Sequence, residues 1–207
     1  MGLFNRRESF LRRFAGDTVY WHVAIGVTVI AVGAALFGDA GRELLKYDRL
    51  AIADGEYWRL VTGHFAHLGN THLALNLAGL VLVWLLVGRY FRTAQWLIVL
   101  ALTLAVTSAG FWFVDQYLLW YVGLSGVLHG LLVAGAIQGF RTLPSESAIL
   151  CAIVAGKLAW EQLAGPVPGS ESVSGGAVVV NAHLFGAIGG IVAGGLLWRS
   201  AGDKRSI

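Results

Sequence analysis

Ser125, His183, His72 and Asn76 are the residues whose types and surroundings point to chemistry. A serine hydroxyl is a weak nucleophile until a base within hydrogen-bond reach takes its proton. Histidine suits that task, because its unperturbed pKa of ~6.5 lies near the working range. Ser125 stands in Gly123-Leu124-Ser125-Gly126, and His183 follows Asn181-Ala182. His72 and Asn76 are four residues apart and so share a helix face. Attack on a carbonyl creates an oxyanion that needs preorganised donors. Ser125 lies near a predicted helix N-terminus, where backbone N–H groups are available. The Asn76 amide and the His72 ring add side-chain donors. No Asp or Glu lies near His183 in sequence, so the expected arrangement is a Ser–His dyad and not a triad.

Each signal is weak alone. A serine in an apolar helix is more often a packing or backbone-bonding residue, and a lone membrane histidine is more often structural than catalytic. The functional reading rests on their conjunction, and the elements that carry them supply it. The chain has 207 residues, 57% of them apolar and only 13% charged. Soluble domains carry about 25% charged residues. Mean hydropathy is +0.68, and the apolar residues fall in long runs. A spanning helix needs roughly 17–25 of them. Six stretches are predicted to span: Val19–Phe37, Leu68–Gly88, Gln95–Val114, Leu118–Phe140, Ser147–Leu163 and Ala177–Trp198. The first connection, Gly38–His67, is long and amphipathic. The last, Gly165–Gly176, is rich in Gly, Ser and Pro.

The expected fold is therefore an all-α membrane protein, one domain over residues 1–207 with six transmembrane helices. A basic segment, 1–18, precedes the helices, and a short basic tail follows them. Basic residues also orient such a chain. Arg6, Arg7, Arg12 and Arg13 precede helix 1; Arg89 and Arg92 follow helix 2; Arg141 follows helix 4; Arg199, Lys204 and Arg205 follow helix 6. Both termini are thus expected to be cytoplasmic. Helix 1 is longer than a usual signal core and is read as retained. Helices 2, 4 and 6 then all begin on the outer side. His72 and Asn76, Ser125 with His129, and His183 fall at one depth, near the outer leaflet. Composition does not force that coincidence.

Small residues support the same assembly. Gly186, Gly190 and Gly194 recur every four residues on helix 6, as do Gly126, Gly130 and Ala134 on helix 4. Such rows let helix backbones approach closely. If they face each other, Ser125 and His183 meet at the top of the seam between helices 4 and 6. The other distinctive residues have plainer readings. Cys151 lies in an apolar run and is read as packing. Trp112, Tyr117, Trp120 and Tyr121 read as an interfacial aromatic belt, and His64 and His67 as ties between loop and bundle. The net charge of +3 is modest, and no nucleic-acid-binding motif is present. A metal carrier lined by His64, His67, His72, His129 and His183 is the competing reading from a different class. It lacks a carboxylate at ligand spacing and any H-E-x-x-H or H-x-x-E-H motif. No metal or other cofactor is expected.

At these residues the sequence resembles the rhomboid protease family over nearly its whole length. His72-Leu-Ala-Leu-Asn76 is similar to the family's H-x-x-x-N, and Gly123-Leu-Ser125-Gly126 to its G-x-S-G. Ala182-His183-Leu-Phe-Gly186 with Gly190 is similar to its A-H-x-x-G-x-x-x-G, and Glu56-Tyr57-Trp58-Arg59 to its loop-1 entry. The resemblance implies serine–histidine cleavage of transmembrane substrates within the bilayer, without metal or ATP. It implies an oxyanion hole from the Ser125 N–H, His72 and Asn76. Many members carry tyrosine one turn after the serine, stacked on the catalytic histidine; here that position is His129. The stretches from Gly123 to Gly130, Arg59 to Leu68 and Lys157 to Pro166 look closer to the rhombosortase subfamily. That likeness implies a Gram-negative inner membrane, a site facing the periplasm, and sorting substrates with a C-terminal Gly-Gly, apolar helix and basic cluster. Glycine is a poor helix former, so a Gly-Gly segment can lie extended in a site. An inactive rhomboid-like binder of membrane proteins is the alternative within the fold.

Lys157 and Glu161 are four residues apart in helix 5, so their side chains can meet. The plain expectation is a mutual ion pair that sets helix depth. The functional one draws on the resemblance, which puts helix 5 beside the lateral entry for substrate. Glu161, beside Trp160, would then attract a cationic group or an incoming amine, with Lys157 holding the carboxylate ionised.

Overall fold

A computed structural model describes residues 21–202, with side chains through Trp198. The basic segment 1–18, the start of helix 1 at Val19, and Lys204 and Arg205 of the tail lie outside the described residues, as does the Arg199 side chain. The elements are α1 (Trp21–Leu36), α2 (Gly38–Leu45), β1 (Tyr47–Asp48), α3 (Arg49–Ala53) and α4 (Arg59–Thr62). Then come α5 (Asn70–Val87), α6 (Thr93–Phe113), β2 (Trp120–Tyr121), α7 (Ser125–Gly139), α8 (Pro144–Ala164), α9 (Ser170–Ser174) and α10 (Val180–Gly202).

Helices α5, α6, α8 and α10 are long and apolar enough to cross a membrane. The other two predicted spans are shorter. Within the described residues α1 has 16 residues, and it joins α2 at a bend of 117°. α7 has 15 residues and starts at Ser125, seven residues after the predicted Leu118. Leu118–Leu124 is apolar but lies outside any helix, and Trp120–Tyr121 within it forms a strand. β2 pairs antiparallel with β1, Tyr47 opposite Tyr121 and Asp48 opposite Trp120. Gly123 follows at φ +135°, a conformation that L side chains rarely adopt.

Helix α7 lies at the centre, against α5, α6, α8 and α10. Its Val127 and Leu131, with Leu124 just before it, join Trp84, Trp96 and Phe91 in the main core. The glycine rows do face each other. A Cβ on Gly186 would collide with the Gly126 carbonyl, one on Gly190 with the Gly130 carbonyl, and one on Gly126 with the Ala182 carbonyl at 2.7 Å. The seam is therefore backbone against backbone.

Loop 1 is anchored by two arginines. Buried Arg59 bonds Glu56 Oε2 at 2.5 Å and donates to the Glu43 and Lys46 carbonyls at 2.7 and 3.1 Å. Arg49 donates to the carbonyls of Phe111, Trp112, Asp115 and Leu118, satisfying the C-terminal end of α6. At that same end Asn181 donates to Asp115 Oδ2 at 2.7 Å, which fixes where α10 begins. The turns after α5 and α7 lie at the opposite end and carry Arg89, Arg92 and Arg141.

Candidate active site

Ser125 is the first residue of α7 and His183 stands in the first turn of α10. The glycine seam brings those two turns together, and His183 Nε2 lies 2.9 Å from Ser125 Oγ. His183 is buried. On its far side Nδ1 lies 2.9 Å from Glu161 Oε2. The other carboxylate oxygen of Glu161 accepts from Lys157 Nζ at 2.7 Å, and Lys157 Nζ lies 3.3 Å from His183 Nδ1. The Glu161 side chain is only 2% exposed, that of Lys157 35%.

This corrects two expectations. A carboxylate does reach His183; it was invisible in the sequence because it lies 22 residues away on a neighbouring helix. Glu161 also does not face outward to attract a cation, since both its oxygens are engaged inside the bundle. Trp160 is half exposed and is not among the residues lining the cleft described below.

The His129 ring stacks on His183, with centroids 4.3 Å apart and planes at 23°. Its Nδ1–H donates to the Ser125 carbonyl at 2.7 Å, so the ring is held by one hydrogen bond and one stack. On α5, the Leu68 N–H donates to His72 Nδ1 at 3.3 Å. That bond leaves Nε2 as the protonated nitrogen of His72. Nε2 faces Gly123, where a Cβ would stand 3.2 Å from it. Buried Asn76 gives one amide proton to the His72 carbonyl at 3.0 Å, and its second proton remains for the cleft it lines. Gly123 is pinned in turn: its N–H donates to the Gly63 carbonyl at 3.1 Å, and its carbonyl accepts from Tyr121 at 2.5 Å.

Tyr121 was missed as a site neighbour. Tyr117 and Trp120 are exposed as an aromatic belt requires, but Tyr121 is 3% exposed. Burial pushes its phenol up to about 12, opposed by contacts with Ser125 and the Gly126 amide. The β1–β2 pairing, a tertiary feature, turns it inward.

The other histidines do not converge on one centre. His64 bonds Ser108 Oγ at 2.9 Å, and His67 Nδ1 donates to the Phe65 carbonyl at 3.0 Å. Burial lowers both to about 4. Among the described residues no three His, Cys, Asp or Glu side chains are grouped to hold a metal ion.

Ser125, His183, His72 and Asn76 open onto a cleft of about 880 Å3 between α5, α7, α8 and the loop carrying α9. Its walls are mostly apolar, among them Leu75, Leu119, Leu128, Val167 and Val173. Lys157 and Glu161 are its charged lining residues. The arrangement is a serine beside a histidine, with hydrogen-bond donors nearby, lining a largely apolar cleft.

A family model described as Rhomboid domain matches residues 54–200. A protein of Bacillus subtilis (strain 168) named "Putative rhomboid protease YdcA" is 33% identical over 90 residues, covering 44% of this chain and 45% of that protein. The chain thus spans less than half the length of that curated relative. The match to the family model runs from loop 1 through α10 and takes in every residue of the site: this chain, a multi-pass integral membrane protein, belongs to the rhomboid family.

Proposed function

We propose that this protein is an intramembrane serine endopeptidase in which Ser125 is the nucleophile and His183 its base. The observation that carries the reading is the 2.9 Å contact between Ser125 Oγ and His183 Nε2 in the wall of an apolar cleft. Ser125 Oγ attacks the substrate carbonyl as its proton passes to Nε2. The Ser125 N–H, the His72 Nε2–H and the free Asn76 proton receive the oxyanion. His183 then protonates the leaving amine, and water or an amine releases the acyl group. Gly123 and Gly126 support the site, the first by its backbone conformation and the second by letting α10 approach. His129 holds the His183 ring in plane.

The substrates on this reading are membrane proteins with a C-terminal transmembrane anchor, cut near a Gly-Gly segment in a rhombosortase-like sorting step. The chain spans a bacterial inner membrane six times as a single domain, with both termini cytoplasmic and the site facing the periplasm. The basic residues of the α5–α6 and α7–α8 turns, opposite the site, support that orientation. Neither metal nor cofactor enters the chemistry.

A serine-reactive fluorophosphonate tests the reading. It should label the wild type, indifferent to chelator, and fail on Ser125→Ala. Ser125→Ala and His183→Ala should each abolish cleavage of a Gly-Gly-anchored reporter, and combining them should cost little more. Mass spectrometry of the new C-terminus fixes the cut and the acceptor. Substantial cleavage by either single variant would overturn the mechanism; absent labelling with intact reporter binding would leave an inactive binder.

A further inference from the structure

His183 Nδ1 has two neighbours that make opposite demands on it. Glu161 Oε2, at 2.9 Å, can only accept, so it requires a proton on Nδ1. Lys157 Nζ, at 3.3 Å, can only donate, so it requires Nδ1 to be bare. A neutral imidazole has one proton to place. With Nδ1–H, Nε2 presents a lone pair to Ser125 Oγ and can take its proton. With Nδ1 bare, Nε2–H points at Ser125 and the hydroxyl cannot be deprotonated. The balance favours the first state, because Glu161 makes the shorter contact and its other oxygen occupies Lys157 at 2.7 Å.

We propose that Glu161 is the positioning carboxylate of a Ser125–His183–Glu161 array and that Lys157 is its counter-cation, the pair together selecting the reactive tautomer of His183. The inference rests on the protease reading above and adds a residue to it.

The plain alternative is an ion pair that only sets helix depth. Such a pair would turn its charges toward the interface. Glu161 does the reverse: its side chain is 2% exposed and its second oxygen meets His183. Burying a carboxylate is costly unless its lone pairs are engaged, and Lys157 and His183 engage them. Charge gives a second reason. When His183 takes the Ser125 proton it becomes a cation beside Lys157, and Glu161 reduces the local charge from two positive to one. The remaining ring contact is His129, which spends its Nδ1 proton on the Ser125 carbonyl and contributes no charge while neutral.

The test uses the full chain in detergent or nanodiscs, comparing Glu161→Gln, Lys157→Met and the double variant. Glu161→Gln should lower kcat by ~100- to 10,000-fold, in line with loss of the carboxylate from Ser–His–Asp sites, and leave KM within about 3-fold. Lys157→Met in that background should recover about 10-fold or more, because the donor that enforces the wrong tautomer is gone. Nitrogen-15 spectra of labelled histidine should report His183 as Nδ1–H in wild type and Nε2–H in Glu161→Gln. Should Glu161→Gln not accumulate, the uncharged double variant carries the test, since removing both partners of a buried pair is tolerated. It should be folded and still fall about 10-fold or more below wild type. Glu161→Gln with kcat within about 3-fold of wild type, or with His183 still Nδ1–H and no rescue by Lys157→Met, overturns this proposal. Those results with Ser125→Ala inactive leave the protease reading standing; cleavage by Ser125→Ala defeats that reading instead.

Discussion

Gly186 of α10 rests directly on the carbonyl of Gly126 in α7, leaving no room for even a methyl group. Gly126 follows Ser125 and Gly186 lies three residues after His183, so this contact sets the separation of Ser125 and His183. Gly186→Ala must push the helices apart. Overpacking of this kind costs about 1–3 kcal/mol, and a misplacement of about 1 Å costs on the order of 100-fold in rate. Turnover should therefore fall further than thermal stability. Measuring both in one detergent checks this; unfolding and activity falling in step would show that the contact serves stability alone.

On the proposed mechanism Asn76→Ala should lower kcat by ~100–1,000-fold with little change in KM, because there its free proton would meet charge only as the oxyanion develops. His72→Ala should do the same, with an added loss of stability from the bond to the Leu68 N–H. Steady-state kinetics on a cleaved reporter separate the two constants. An effect confined to KM would assign Asn76 to substrate binding.

His129→Phe and His129→Tyr keep a ring against His183, and His129→Ala does not. Aromatic stacking contributes about 0.5–1.5 kcal/mol. The aromatic variants should retain most activity, while the alanine variant should lose roughly 3- to 10-fold. Equal activity in all three would make His129 a packing residue.

His64 ties the loop to the protein's response to acid. Ser108 gives its hydroxyl proton to the Leu60 carbonyl at 2.5 Å, so His64 must donate to Ser108 through Nε2. Nδ1 is then bare, buried and without a hydrogen-bond partner. Burial lowers the folded value to about 4, below the ordinary ~6.5 of an unfolded chain. Between those values the unfolded chain holds more protons, so stability is full above ~6.5 and declines as pH falls toward 4. Melting temperatures across that range should drop for wild type and drop less for His64→Phe. At neutral pH the same substitution should cost about 1 kcal/mol or less, the worth of one neutral hydrogen bond. A parallel acid decline in both proteins would point to His67 or the carboxylates instead.

The approach of Ser125 to His183 was legible because each lies in the first turn of a helix entering from the same end, with glycines every fourth residue below it. The glycine period reports directly on helix contact. Glu161 was legible only as a partner for Lys157, since spacing within one helix says which side chains share a face but not which helix that face meets. Tyr121 and the late start of α7 were hidden for a related reason. Leu118–Leu124 has the composition of a span, and the pairing of its Trp120 and Tyr121 with Asp48 and Tyr47, far away in sequence, holds that part as a strand. Four long helices satisfy the length and hydropathy of a crossing; the sixfold count predicted from apolar runs depends on the two short ones.

At about 1.5 Å per residue, the 15 residues of α7 measure about 22 Å, against a hydrocarbon layer of about 30 Å. Because α7 is enclosed by α5, α6, α8 and α10, lipid does not make up the difference. In the proposed orientation the shortfall lies above Ser125, where the loop that carries α9 lines the cleft. On the proposed reading the length of α7 acts as a ruler: the bond that is cut is chosen by its depth below the surface as well as by its sequence. Adding one helical turn, about 5.4 Å, to the outer end of a substrate's anchor should therefore move the cut along the chain or abolish it. Unchanged cleavage at the same bond, read by mass spectrometry, would mean that sequence alone is measured.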